Sequence, residues 1–199
     1  MVTDNADAPT IFEYILAILW YKISERKGKV LDYMKLSLDT NLLPKSHAAG
    51  GEADIVFEYN ASESYPKHTL LIEATLAEKN NQRRMEMEPV SRHLGDHLIA
   101  TNNLNSYCVF ATNYLNPNVV SDFRHRKDIV YYDSKNITKS VKGMKIIPLE
   151  TADLRTIIKN KKQYTELYQT FDTAYHNNTI LDPIEWWIEC VKKSLSTRG

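Results

Sequence analysis

Along this chain the apolar positions switch between a helical period and short unbroken runs. From Thr10 to about Arg26, Ile11, Ile15, Ile18, Leu19 and Ile23 recur at helical spacing, which predicts an amphipathic helix. Thr10, with Glu13 three residues on, reads as a capping box at its start. Gly28 ends it, and the polar residues 1–9 are expected to fray. Val30 to Leu38 fits a short helix or an edge strand, while Pro44 to Gly51, with Ala48, Ala49 and the Gly50-Gly51 pair, reads as a loop. The runs Ile55-Val56-Phe57 and Leu70-Leu71-Ile72 are short and rich in branched residues, and a polar stretch of hairpin length separates them, so they predict neighbouring strands. A charged helix follows. It begins near Asn80, or only at Pro89, because an interior proline breaks or kinks a helix.

Beyond it, Ser106 to Thr112 predicts a strand buried on both faces beside the second strand. Pro117 opens a helix through about Arg126. Ile129 to Asp133 and Lys145 to Leu149 read as short strands around a lysine-rich loop, and helices are expected from Thr151 and from Gln163 to Tyr175. Asp182-Pro183 caps the last helix, in which Trp186, Trp187 and Val191 can reach the core. The order helix, strand, strand, helix, strand, helix is that of an α/β fold, a mixed central sheet flanked by helices. Extra C-terminal helices are expected over one end of the sheet.

Each strand of the predicted hairpin carries one acid. Asp54 heads the first, and Glu73 interrupts the apolar run of the second. A carboxylate buried there is costly unless it is paired or binds a cation, and two on adjacent strands suit Mg²⁺, which takes one or two protein carboxylates plus water and phosphate oxygens. The plainer reading makes Asp54 a turn residue and Glu73 the polar member of an alternating strand. On the charged helix, Gln82 and Glu86 are spaced i, i+4, and Glu86 and His93 i, i+7, so all three can share one face. His47 reads as a loop residue, and Arg124-His125-Arg126-Lys127 as cations complementing a helix C-terminus or as phosphate or partner contacts.

Composition narrows the class. The 199 residues suit one domain spanning 1–199, with 43% hydrophobic content. Lys+Arg and Asp+Glu are both 25, whereas a protein that grips DNA alone is usually basic. Neutrality points to a catalytic piece delivered to DNA by another chain. Cys108 and Cys190 read as buried free thiols. There is no signal-like N-terminus, and the apolar run from Ile15 to Tyr21 is too short to span a bilayer.

The strand with Asp54, the strand Ile72-Glu73-Ala74-Thr75-Leu76, and then Gln82, Glu86, Pro89-Val90 and Arg92-His93 together resemble the cleavage domain of AlwI-type type IIS restriction endonucleases. They are closer still to the separate small subunits of heterodimeric type IIS enzymes, within the PD-(D/E)XK nuclease superfamily. The resemblance is strongest from Ala48 to Ala111. It implies Mg²⁺ held by Asp54, Glu73 and the Ala74 carbonyl, with Glu86 orienting a second cation or its waters. It also places a first-helix glutamate at the site, matching Glu13 in Phe12-Glu13-Tyr14.

Two departures stand out. Ala53 replaces the signature proline and Thr75 the signature lysine; the relatives share the second loss. His93 is then the expected substitute, as proton acceptor, as a charged ring near the phosphate, or as a group orienting Glu86, and Lys79 is another candidate. The resemblance further implies double-stranded DNA as substrate, a larger DNA-recognition subunit as partner, for which this length leaves no room, and the bacterial cytoplasm as location. The alternatives are a stand-alone homodimeric repair nuclease and a noncatalytic interaction module on the same fold.

Overall fold

The computed structural model describes residues 6–48, 51–77 and 79–197, with backbone alone at 79 and 80. Ala49, Gly50 and the Lys79 side chain therefore lie outside it. Helix α1 (Ala8–Ile23) starts earlier than the capping box suggests. Asp7 is the N-cap and accepts from the Thr10 amide at 3.0 Å and the Thr10 hydroxyl at 2.6 Å. Thr10 thus sits inside the first turn, and Glu13 is released from any capping duty. The helix buries Glu13, Leu16, Ala17, Trp20 and Ile23, a helical stripe.

The ambiguous segment after α1 contains a single 3₁₀ turn at Val30–Asp32 and strand β1 (Ser37–Leu38). The expected loop at Pro44 is instead strand β2 (Pro44–Ser46), paired antiparallel with β1. β3 (Ile55–Tyr59) and β4 (His68–Thr75) form the predicted hairpin. Helix α2 (Lys79–Thr101) then runs unbroken through Pro89. The carbonyl that the proline leaves without an amide belongs to Met85, an exposed residue, so water can satisfy it.

β5 (Tyr107–Thr112) lies parallel to β4, and after helix α3 (Pro117–His125) the chain forms a small ribbon of β6 (Tyr131–Tyr132) and β7 (Ser140–Val141). β8 (Ile146–Glu150), the expected strand near Lys145, is the fourth strand of the main sheet, ordered β3-β4-β5-β8. The run Ile146-Ile147-Pro148-Leu149 is apolar without alternation, as a strand covered on both faces requires.

Period-two alternation sorts the sheet into two cores. Leu70, Ile72, Val109 and Ile147 pack with α1, with α4 (Thr151–Lys159) and with α5 (Tyr164–His176). Trp186, Val191 and Leu195 of the final helical stretch join this cluster, while Ile184 and Trp187 also pack against the opposite one and the Trp187 indole donates to Pro148 O, so this stretch wraps the β8 edge of the sheet. On the other face Leu71, Cys108 and Phe110 meet Val90, Leu94 and Leu98 of α2 and Val119, Val120 and Phe123 of α3. Glu73 and Thr75 share the face of Leu71, under α2. No helix among the described residues is long and apolar enough to cross a membrane.

Candidate active site

The register Ile55↔Ile72 brings Asp54, one residue before β3, level with Glu73 on β4. Asp54 Oδ2 accepts the Ala74 amide at 2.7 Å, a side-chain clamp in place of a ladder bond. Glu73 is 7% exposed, and its Oε1 lies 2.7 Å from Nδ1 of His93 on α2. Two turns earlier on that helix, Glu86 Oε1 accepts the Thr75 hydroxyl at 2.8 Å. Glu13, 4% exposed, reaches the same neighbourhood from α1, and the Ala48 amide donates to its Oε2 at 3.4 Å.

Electrostatics bind these four acids into one unit. Burial, then the charges of Glu73 and Glu13, push the Asp54 carboxyl up to about 8. Burial also raises Glu13 and Glu86, against the Ala48 amide in one case and the Thr75 hydroxyl in the other, and the Glu73 charge adds to both. Beneath them the fully buried Cys108 thiol is driven well above its ordinary range by burial, then by Glu73 and Asp54. Removing a carboxylate from water penalises its charged form, and like charges nearby deepen that penalty. Among the described residues no three His, Cys, Asp or Glu side chains form a ready-made metal cage.

The expected residues thus come together with two revisions. His93 orients Glu73, not Glu86. Gln82, expected among the site residues, is fully buried but spent on structure: its amide nitrogen donates to Ala77 O, Thr112 Oγ1 and Tyr114 O, and its oxygen accepts the Asn116 amide. It ties the start of α2 to the loop after β5. Thr75, expected at the position of the signature lysine, donates to Glu86.

His47 is closer to the site than a loop reading allowed. Its Nδ1 lies 2.7 Å from the Thr10 hydroxyl and 3.6 Å from Glu13 Oε1. The polar Thr10 on the buried side of α1 was the available signal. The basic cluster at the end of α3 is mostly structural. Arg124 is buried against the Trp186 ring and donates to Tyr175 O and Asn177 O, and Arg126 pairs with Asp122. Cys108 is buried as expected, whereas Cys190 is only half-buried.

Comparison with known proteins adds two findings. A sequence model of the family described as AlwI restriction endonuclease matches residues 1–157. The crystal structure of the small subunit (R.BspD6I2) of the heterodimeric restriction endonuclease R.BspD6I superposes with a TM-score of 0.65 at 20% identity, covering 94% of this chain and 90% of that one. At such identity the likeness establishes a shared fold. No match was found among curated protein sequences.

Proposed function

This chain belongs to the AlwI restriction endonuclease family, and from that premise we propose that it is the catalytic small subunit of a type IIS restriction enzyme. In this reading it hydrolyses one strand of double-stranded DNA with Mg²⁺, at a site chosen by a larger DNA-recognising partner that cuts the other strand. The bacterial cytoplasm is the corresponding location. The observation that carries the reading is the crowding of Asp54 and Glu73, backed by Glu13 and Glu86, in a place where an Asp carboxyl is held near 8. Such a cluster lacks a counter-charge, and a divalent cation supplies one.

The residues present fit Mg²⁺. It needs only one or two protein carboxylates, with water and phosphate oxygens completing its shell, so a pre-formed cage of three acids is not required. Asp54, Glu73 and the Ala74 carbonyl would hold it, with Glu86 beside its waters. When bound, the cation offsets charge growing on the phosphate and lowers the pKa of a coordinated water. The chain's own groups do the positioning. The Ala74 amide fixes Asp54 and the Thr75 hydroxyl fixes Glu86. His93 Nδ1 shares a proton with Glu73 Oε1, which sets that carboxylate's orientation. With a threonine where the lysine would stand, His93 is the base we assign to the proton released by the attacking water.

The test is Mg²⁺-dependent nicking of a target duplex by wild type and Glu73→Ala, each with and without the candidate large subunit. Wild type plus partner should give a double-strand break, and Glu73→Ala plus partner only the partner's nick. Cutting of one defined sequence by this chain unaided, with a homodimer on gel filtration, would move the reading to a stand-alone nuclease. Glu73→Ala matching wild type would remove the acids from the reaction.

A further inference from the structure

A groove of about 750 Å³ runs along α2 toward the β6–β7 ribbon. Arg83, Arg84 and Glu88 line it from α2, and Arg126 and Tyr131 line it from across. Arg84 and Glu88 each stand two residues from Glu86, which at roughly 100° per residue turns them about 160° around the helix from it. Arg83 stands three residues before Glu86, a neighbouring position on the helix surface, so it sits where the groove meets the acid site. The far wall is fixed by a glycine. Gly95 lies inside α2, where glycine weakens a helix, yet a Cβ built there would come within 2.4 Å of the Tyr131 ring. The missing side chain lets that ring pack against α2, and the Tyr131 hydroxyl donates to Asp96 Oδ1 at 2.8 Å.

The charges along the groove do not cancel. Glu88 is paired with Arg92 at 3.0 Å, and Arg126 with Asp122 at 2.9 Å. Arg83 and Arg84 are exposed, and among the described residues neither makes an ion pair or a side-chain hydrogen bond. In a chain whose formal charge is zero, the end of the groove nearest the start of α2 thus carries two uncompensated guanidinium groups. A guanidinium presents planar donors that match a phosphate bidentately. The crowded acids beside Arg83 repel a phosphate chain unless a cation is bound, so a polyanion held here needs counter-charge close by.

Resting on the nuclease reading above, we propose that this groove binds the sugar–phosphate backbone of duplex DNA. Arg83 and Arg84 each contact a phosphate, and Arg83 leads the strand to the acids. The occupant is a nucleic-acid backbone and not an acidic protein segment, because the groove is open to solvent and begins beside the place where a phosphodiester lies for cleavage. Phosphate contacts fix register without reading sequence, which suits a chain whose target is chosen by a partner. They also make the hold salt-dependent, since each neutralised phosphate releases condensed counterions.

The experiment titrates a short fluorescein-labelled duplex with the full-length chain by anisotropy, in metal-free buffer so that the duplex stays intact, across a series of salt concentrations. Wild type is compared with Arg83→Ala, Arg84→Ala and Arg155→Ala, the last removing an exposed cation from α4 on the other face of the sheet, with circular dichroism confirming each fold. Each groove variant should bind roughly 3–10-fold more weakly at about 0.1 M salt and lower the slope of log K against log salt by about one, while Arg155→Ala changes neither. In the complex with the large subunit, this chain's own nick should slow in both groove variants at subsaturating DNA, and the partner's nick should not. Affinity and slope equal to wild type in both groove variants, or no duplex binding by wild type, overturns the site. Loss of the large subunit on gel filtration with duplex binding intact also overturns it, and assigns the groove to that partner. Failure of the nuclease reading shows separately, as no nicking by wild type with any metal while the arginine dependence of duplex binding persists.

Discussion

The two faces of the sheet solve the problem of buried polar groups in opposite ways. Under α1 and α5 the core is aromatic, and its buried histidine and tyrosines are hydrogen-bonded, although the Trp20 indole nitrogen is not. Tyr59 stacks on Tyr164 with ring centroids 3.7 Å apart, and Tyr33 on Phe57 at 3.8 Å. His68 is bonded at both nitrogens, to Pro66 O at 2.7 Å and to the Tyr164 hydroxyl at 2.5 Å, and that hydroxyl also meets Tyr107 at 3.1 Å. Under α2, by contrast, acids outnumber the groups that could neutralise them, and two imidazole nitrogens have no partner. One face is arranged for stability. The other keeps crowded carboxyls pushed above their ordinary range, a conflict between local and global preference of the kind found at functional sites.

The sharpest way to break this contrast is Asp54→Asn. Nicking should be lost, because the site keeps the shape of the acid without its charge. Stability in the absence of metal should rise, with a sign that follows from linkage. The Asp54 carboxyl is raised from 3.8 to about 8 in the fold, so between those values the native state holds a proton that the unfolded chain has released. Stability contributed by this group is therefore fully present below about pH 4, declines as pH rises through the window, and is level above about pH 8. The neutral asparagine escapes that decline. At pH 7 the variant should gain about 2–4 kcal/mol, or roughly 5–10 °C in Tm, measured by metal-free thermal unfolding. A variant less stable than wild type at pH 7, yet gaining nothing relative to it from pH 4 to 8, would mean that Asp54 is not strained.

On the opposite face the expected effects reverse. Tyr164→Phe removes a hydroxyl that serves both His68 Nε2 and Tyr107, and leaves two buried polar groups without their partner. It should cost about 1–3 kcal/mol in urea unfolding, while metal-supported nicking stays at the wild-type level. A loss of cleavage without loss of stability would join the aromatic face to the chemistry and erase the distinction.

How much of this was legible in the sequence differs between the faces for a physical reason. The hairpin, the buried β5 strand and the continuity of acids from Asp54 to Glu86 follow from period and composition, and so did the mixed sheet. The β1-β2 ribbon did not, because two- and three-residue strands leave no periodic trace. β8 was legible as a short strand but not its place in the main sheet, since its partner, β5, lies far back in sequence, and parallel pairing writes nothing into the intervening residues. At the site, spacing placed Glu86 and His93 on one helix face, but it could not tell which acid each would meet. The structure gives His93 to Glu73 and Thr75 to Glu86. Gln82 shared that face and was drawn in with them, although its amide closes a loop. Helical spacing says which way a side chain points, not what it finds there.

The smallest effect is expected at Thr75, and it isolates the electrostatic part of the contrast from the structural part. Its hydroxyl donates to Glu86 Oε1 at 2.8 Å and accepts the Ala77 amide at 3.0 Å. The donated bond favours the ionised carboxylate and so opposes the upward push of burial on Glu86. Thr75→Val keeps the shape and removes that opposition, so Glu86 should rise further and the acid limb of the pH–rate profile should move to higher pH. The rate at neutral pH should fall roughly 3–10-fold, the worth of one hydrogen bond. Thr75→Ser retains the oxygen and should restore the wild-type profile. The freed Ala77 amide would cost stability in the valine variant only, which urea unfolding measures independently. A uniform drop in rate at every pH, unrescued by serine, would assign Thr75 to packing and leave Glu86 without its tuning group.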